Sequence, residues 1–431
     1  MAVIHPFRGL RYNPAVVRDL SRVVTQPYDR IGPDEEREYL RRSPYSFVRL
    51  IGTKSPPPDE ADYARRAQVL QAWIRDRILV QDEKPGVYFY RQSFTHSGQS
   101  LVRTGIIALL DLSQSGAKAH EHTLRGPKED RLKLFRATEA HLEHIFLLYR
   151  DPARAATTAA ERAVAGRLSD ATAKDEFGNT HELWHIADPN TVQIVQDALL
   201  PLDLYIADGH HRFETAQAFM RECLAKGWKP ASPQSFTALP VTLVNVEEPG
   251  CVIRPTPRVV RDLPAFSPQA FLAAARGEFA VAELGSLAEA REFLASAVGK
   301  EHAFVLYTEG RFWSLVLHDE NRLRLIPGDH PLAWKKLDVA ILHKALLEPI
   351  LGIDDEALAR QSHVDYAHTD EEAVALVDAG KGQAAFLLNP TRVEEVLAIA
   401  DLGVSMPQKS TDFYPKLLSG LVAMTMDIEK P

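Results

Sequence analysis

The stretch 206–216, IADGHHRFETA, sets an acid, a glycine, two histidines and an arginine side by side. Residues 204–207 read as a strand and 212–226 as a helix, so Asp208 and Gly209 fall at a strand-to-helix junction. The first amides of a helix have no acceptor within it and sit at the positive end of its dipole, which makes such a junction an anion site. Gly209 permits a positive φ or a close backbone approach. Arg212 offers a planar fork for bidentate phosphate contacts. His210 and His211 can donate to a phosphate oxygen or move a proton near neutral pH, which makes them catalytic as well as phosphate-binding candidates. Asp208 can hold Mg²⁺ on the phosphates or orient a histidine. Taken singly, Asp208 is an ordinary helix cap and the histidines are solvated turn residues; five such residues at one junction favour function. A metal site made by Asp208 and a histidine is the alternative, but adjacent histidines point apart and would need ligands from elsewhere.

Three further constellations could serve the same chemistry. His120-Glu121-His122 precedes Lys128-Glu129-Asp130-Arg131. There Glu121 is the candidate general base for a substrate hydroxyl, and His120, Lys128 and Arg131 are candidate substrate contacts. The plain alternative is a solvated charged loop. Residues 406–416 contribute Lys409, Ser410, Thr411 and Lys416 toward an acidic ligand, against a reading as a proline-stiffened turn. The lysine and hydroxyl here do not make a P-loop, because the second glycine is missing and the segment follows a helix, not a strand. Tyr28 and Asp29, behind Pro27, are candidates for one wall of a pocket, or a simple turn.

The elements that must position these residues alternate in type. A helix is expected over 33–42, an extended run over 47–51 after Pro44, a proline-rich loop over 54–59 and a helix over 61–79. Residues 86–95 and 101–110 alternate as strands around His96-Ser97-Gly98-Gln99, a hairpin signal. Strands are expected near 144–149, 236–246, 304–307, 312–317 and 384–388, with helices over 191–200 and 392–400 and an irregular polar loop over 406–416. Trp73 and Trp313 are expected in the core. This mixture predicts an α/β fold with mixed sheets, not a regular doubly wound one. The expected division is a core over 1–265 carrying the Asp208–Arg212 turn, a small segment over 266–331, and a C-terminal segment over 332–431.

A chain of 431 residues with 45% hydrophobic and 25% charged residues can bury sizeable cores. The net charge of −8 speaks against a nucleic-acid-coating protein. Two cysteines, Cys223 and Cys251, make no disulfide framework or metal-ligand spacing. There is no secretory leader pattern at the start and no long apolar run, so the expectation is a cytoplasmic protein without a membrane span.

IADGHHRFETA resembles the phosphate-binding motif of the ParB/sulfiredoxin-like superfamily, in which an Asp-Gly-x-His-Arg type of turn holds nucleotide phosphates. That superfamily includes an ADP-dependent free-serine kinase. Across nearly its whole length the chain is also similar to the family catalogued as domain of unknown function 1015. The residues that carry this likeness are Pro27-Tyr28-Asp29, Pro44-Tyr45-Ser46-Phe47, His120-Glu121-x-Thr123 with Lys128 and Arg131, IADGHHRFETA, Met406-Pro407-x-Lys409-Ser410-Thr411 and Phe413-Tyr414-Pro415-Lys416. One departure is Pro255-Thr256-Pro257-Arg258, where the family usually has histidine before the arginine. The resemblances imply a ParB/sulfiredoxin-like core and a phosphotransferase acting on a small metabolite, with ADP or ATP as donor and Mg²⁺ at Asp208. Expected partners are a nucleotide and a small anionic or hydroxyl-bearing metabolite, with a homodimer left open. The rival readings are a nucleotide-binding switch without turnover and a metal-dependent hydrolase using His120, Asp208 and His210.

Overall fold

The computed structural model describes residues 1–431 apart from 54–58, 122, 124, 321–322 and 324–325. Most of the expected proline-rich loop, and His122, lie outside the described residues. By contact density the chain forms two compact units, Met1–Ala119 with Thr123–Val252 and Pro415–Pro431, and His120–His122 with Ile253–Tyr414. The three-segment division read from the sequence stays a proposal.

The first unit is built on one sheet. Its strands are β1 (Ile4–His5), β2 (Val87–His96), β3 (Gln99–Asp111), β4 (Ile145–Tyr149), β5 (Ala171–Lys174), β6 (Thr180–Ile186), β7 (Tyr205–Asp208) and β8 (Ala238–Asn245). The order is β7-β4-β8-β3-β2-β6-β5, with β1 also on β3. β4 and β8 pair in parallel; both are buried along their whole length, as a strand covered on two faces must be. The β2–β3 hairpin turns on Ser97 and Gly98, both at positive φ, which matches the twist of the strands it joins.

Its helices include α1 (Pro33–Arg42), α2 (Val48–Ile51), α3 (Glu60–Arg75), α4 (Arg125–Thr138), α5 (Ala155–Val164), α6 (Pro189–Leu199) and α7 (His210–Ala225). Their ends follow local chemistry. Asp188 caps α6 by accepting from Thr191 N, with Pro189 in the first turn. The extended run expected over 47–51 is instead α2, with Val48, Leu50 and Ile51 all buried and Gly52 ending it at φ 74°. With Arg49 exposed between buried neighbours, so short a run has too little period to tell strand from helix, and here tertiary packing decides. It lies in a side core with Leu10, Phe47, Leu70 and Trp73.

The second unit carries an antiparallel sheet of β9 (Arg258–Val260), β10 (Phe279–Leu284), β11 (Ala303–Thr308), β12 (Arg311–Leu317), β13 (Val364–Tyr366) and β14 (Ala384–Leu388), in the order β10-β12-β11-β14-β9-β13. Glu309 and Gly310, both at positive φ, close the β11–β12 hairpin. One core gathers Val259, Leu294, Val305, Ala385 and Leu387. Trp313 is only half-buried, unlike the core position expected for it. The polar run 406–416 is not wholly irregular: Asp412–Tyr414 forms a strand paired with Val252–Arg254.

The fold class is therefore α/β with mixed sheets, as the alternation of patterns predicts. No helix among the described residues is long and apolar enough to cross a membrane.

Candidate functional site

Strand β7 ends at Asp208 after a register shift against β4, which turns the chain out of the sheet. Gly209 follows at φ 96°, ψ 26°, a left-handed conformation that needs glycine, and it caps α7 without a side chain. A Cβ there would stand 3.0 Å from Ile145 Cδ1 and 3.1 Å from Arg212 Nη2. The sequence thus delivers the junction it predicts, a strand, an αL glycine and a helix start with no side-chain cap.

Cations gather on Asp208. Lys416 Nζ lies 3.7 Å from its Oδ2 and Arg212 Nη2 lies 3.9 Å from it. Burial raises the carboxyl's pKa, but Lys416, Arg212, Arg30 and His210 outweigh it and hold Asp208 well below the usual carboxylate range. Its side chain keeps about a quarter of its surface exposed, at 26%. His210 is buried, and that burial, against Asp208 and Glu214, pushes its imidazole down to about 4. It is neutral at pH 7.

Arg212 faces inward. Its Nη1 donates to the His144 carbonyl at 2.8 Å and stands 3.8 Å from Glu143 Oε1. The fork expected to meet a phosphate is here engaged with the protein and holds Asp208 and Glu143 in place. Glu143 is the hub beneath the turn: it accepts from Tyr28 N at 3.1 Å and from Ser419 Oγ at 3.1 Å, and its Oε2 is 3.8 Å from Arg131 Nη1. Arg131, fully buried, lies 3.8 Å over the Tyr28 ring and donates to the Ile51 carbonyl at 2.8 Å. Asp29 is exposed and contributes to the field on Arg212. The structure thus brings together Tyr28, Asp29, Arg131, Asp208, Gly209, His210, Arg212 and Lys416.

Lys128 lies one layer out. On α4, its Nζ donates to Glu214 Oε2 at 2.9 Å, and Thr123 Oγ1 donates to the same oxygen at 2.7 Å. Burial raises the Glu214 pKa, but these two bonds and His211 keep it below its ordinary value. His211 is half-buried on the same turn of α7.

His120, Glu121, Lys409, Ser410 and Thr411 belong to the second unit. There His120, almost fully buried, has Nε2 3.2 Å from Thr411 Oγ1, and its carbonyl accepts from Met406 N at 2.7 Å. Ser410 Oγ donates to the Pro407 carbonyl at 2.6 Å, so its hydroxyl closes the loop's own turn. Lys409 adopts φ 57°, and its carbonyl accepts from buried Arg258 at 3.0 Å. Glu121 is half-buried.

Sequence reasoning missed Glu143, Glu214, Ser419 and Arg30. Glu214 was within reach, since it lies in IADGHHRFETA four residues after His210 and shares its helix face. Glu143 and Ser419 carry no local signal, because their role depends on segments 276 residues apart. Among the described residues no three His, Cys, Asp or Glu side chains gather into a metal-holding group. A metal at Asp208 would have to bring most of its ligands with it, as phosphate-bound Mg²⁺ does.

The family described as "Protein of unknown function (DUF1015)" matches residues 4–340. Solved structures that resemble the chain include a conserved hypothetical protein from Pyrococcus furiosus, at 13% identity over 75% of this chain and 94% of that one, with a TM-score of 0.34. Another is free serine kinase in complex with AMP, at 13% identity over 75% and 90%, TM-score 0.36. A third is SbnI with a C-terminal truncation from Staphylococcus aureus, at 9% identity over 73% and 86%, TM-score 0.34. At these values the likeness carries no statement about activity. No curated protein matches the chain.

Proposed function

We infer that this chain, which belongs to the DUF1015 family of proteins of unknown function, is a nucleotide-dependent phosphotransferase for a small hydroxyl-bearing metabolite, of the free-serine-kinase kind. The observation that carries the reading is the Asp208–Gly209 turn. It opens an uncapped helix start where an ionised carboxylate and the Lys416 ammonium stand 3.7 Å apart. Nucleotide phosphates would lie against the first turn of α7, with Gly209 to Arg212 supplying backbone amides and Lys416 a positive charge held beside Asp208. Asp208, ionised and partly exposed, suits a single-carboxylate role toward phosphate-bound Mg²⁺. When bound, the ion would neutralise charge on the phosphate oxygens.

In the transfer, the bond from the donor's terminal phosphorus to its bridging oxygen breaks and a new bond forms to the metabolite oxygen. The hydroxyl proton goes to a protein base. His210, held neutral, and His211 beside it are the candidates on α7. Catalysis of this kind rests on positioning and charge neutralisation more than on covalent chemistry. Arg212, Glu143 and Arg131 would contribute by fixing the turn.

Phosphorus NMR of the protein with ADP or ATP, Mg²⁺ and a panel of small hydroxyl metabolites tests this directly. The expected result is a new phosphate-ester resonance with one class of acceptor, lost in His210→Gln or in Lys416→Met. Nucleotide binding without transfer to any acceptor would replace the reading with that of a switch of the ParB kind.

A further inference from the structure

Arg103, on β3, and Gln92, opposite it on β2, are both almost completely buried. The Arg103 guanidinium donates to Gln92 Oε1 from Nε at 2.9 Å and from Nη2 at 2.6 Å, and Nη2 also donates to the Pro415 carbonyl. Gln92 Nε2 donates to the next carbonyl along, that of Lys416, at 2.9 Å. One side-chain pair therefore holds two successive peptide carbonyls of the C-terminal segment. The pair is itself enclosed. The Phe146 ring lies 4.7 Å from the guanidinium, and a Cβ on Gly250 would stand 2.7 Å from Arg103 Cβ. Behind it, Tyr90 Oη is 2.6 Å from His181 Nδ1, and His181 Nε2 is 3.2 Å from Asp175 Oδ2. Asp175 is fixed in turn by the amides of Phe177 and Asn179 and by Asn179 Nδ2.

Burying a guanidinium is costly, and neutral carbonyl acceptors offset that cost less well than a carboxylate does. Backbone pairing already holds β2 to β3 without it. What this network fixes is the stretch from which the Lys416 side chain reaches Asp208, where Lys416 is itself largely buried at 11% exposure. We propose that Arg103 and Gln92 are positioning residues that aim Lys416 at the Asp208 turn, so that the sheet interior sets the geometry of the phosphate site. The functional half of this proposal rests on the phosphate-site reading above; the geometric half does not.

The test separates the two. Gln92→Glu keeps size and the acceptor facing Arg103 but loses the donor to the Lys416 carbonyl. Arg103→Lys, the second variant should the first not fold, keeps charge and loses the fork. Reductive methylation of the full chain, read lysine by lysine by mass spectrometry, should show Lys416 labelled about fivefold or more faster in either variant, with the other lysines and Tm little changed; in a cycle with Lys416→Met, the loss of ADP affinity caused by Gln92→Glu should vanish. Unchanged Lys416 labelling in folded variants would overturn the proposal whether or not ADP binds. An equal affinity loss with and without Lys416 would also overturn it, by reducing the pair to a general staple. If the unaltered protein binds no ADP, the phosphate-site reading fails, and the labelling still decides the positioning.

Discussion

At Asp208, burial and neighbouring charge pull in opposite directions, and charge wins. Its pKa in the folded chain lies below the usual 3.8. Its ionised form therefore contributes stability that is fully present above that value and is lost as pH falls through the lower, folded one. Asp208→Asn should cost stability at pH 7, and the gap to the unaltered protein should narrow in denaturant titrations below about pH 4. A gap that stays constant down to acid unfolding would contradict the assignment. His210 works the other way. The unfolded chain takes a proton near 6.5 while the folded one refuses it until about 4, so this histidine costs stability progressively as pH falls between those values. Its imidazole resonances should show a neutral ring at pH 6. A midpoint at or above that pH would mean that the ring is not buried as described.

The elements decide which of these side chains meet. Gly209 is the one position in the turn where the backbone dictates the residue. Gly209→Ala should destabilise the protein by about 1–2 kcal/mol from the left-handed φ alone, and more as the new methyl presses on Ile145 and Arg212. Chemical denaturation measures it, and an unaffected midpoint would show that the turn relaxes freely. Much of this level is legible in the sequence. The Ser97-Gly98 and Glu309-Gly310 hairpins and the Asp208-Gly209 junction are all local chemistry within a few residues. The short α2 is not, because Val48, Leu50 and Ile51, with Arg49 exposed among them, make a run too short for its period to decide. Nor is the inward turn of Arg212. Its type suits a phosphate equally well, and only the fold places the His144 carbonyl and Glu143 where they engage it.

Across the whole first unit, the C-terminal segment supplies what the turn lacks. Lys416 reaches Asp208, Ser419 holds Glu143, the Val422 carbonyl meets His144 Nε2 at 2.8 Å, and Met424 pairs with His141. These links join residues more than 200 positions apart, which is why the sequence shows the C-terminal motif yet not its destination. Ending the chain at Tyr414 should strip hydrogen-exchange protection from β4 and β8; full protection in the shortened chain would show the segment to be an ornament. The central claim is that this assembly binds nucleotide phosphates, and calorimetric titration with ADP, ATP and CTP, with and without Mg²⁺, tests it most directly. The account predicts saturable binding of at least one nucleotide, weakened about tenfold or more by Lys416→Met, a loss of about 1.4 kcal/mol. No binding by any of the three under either condition would contradict it.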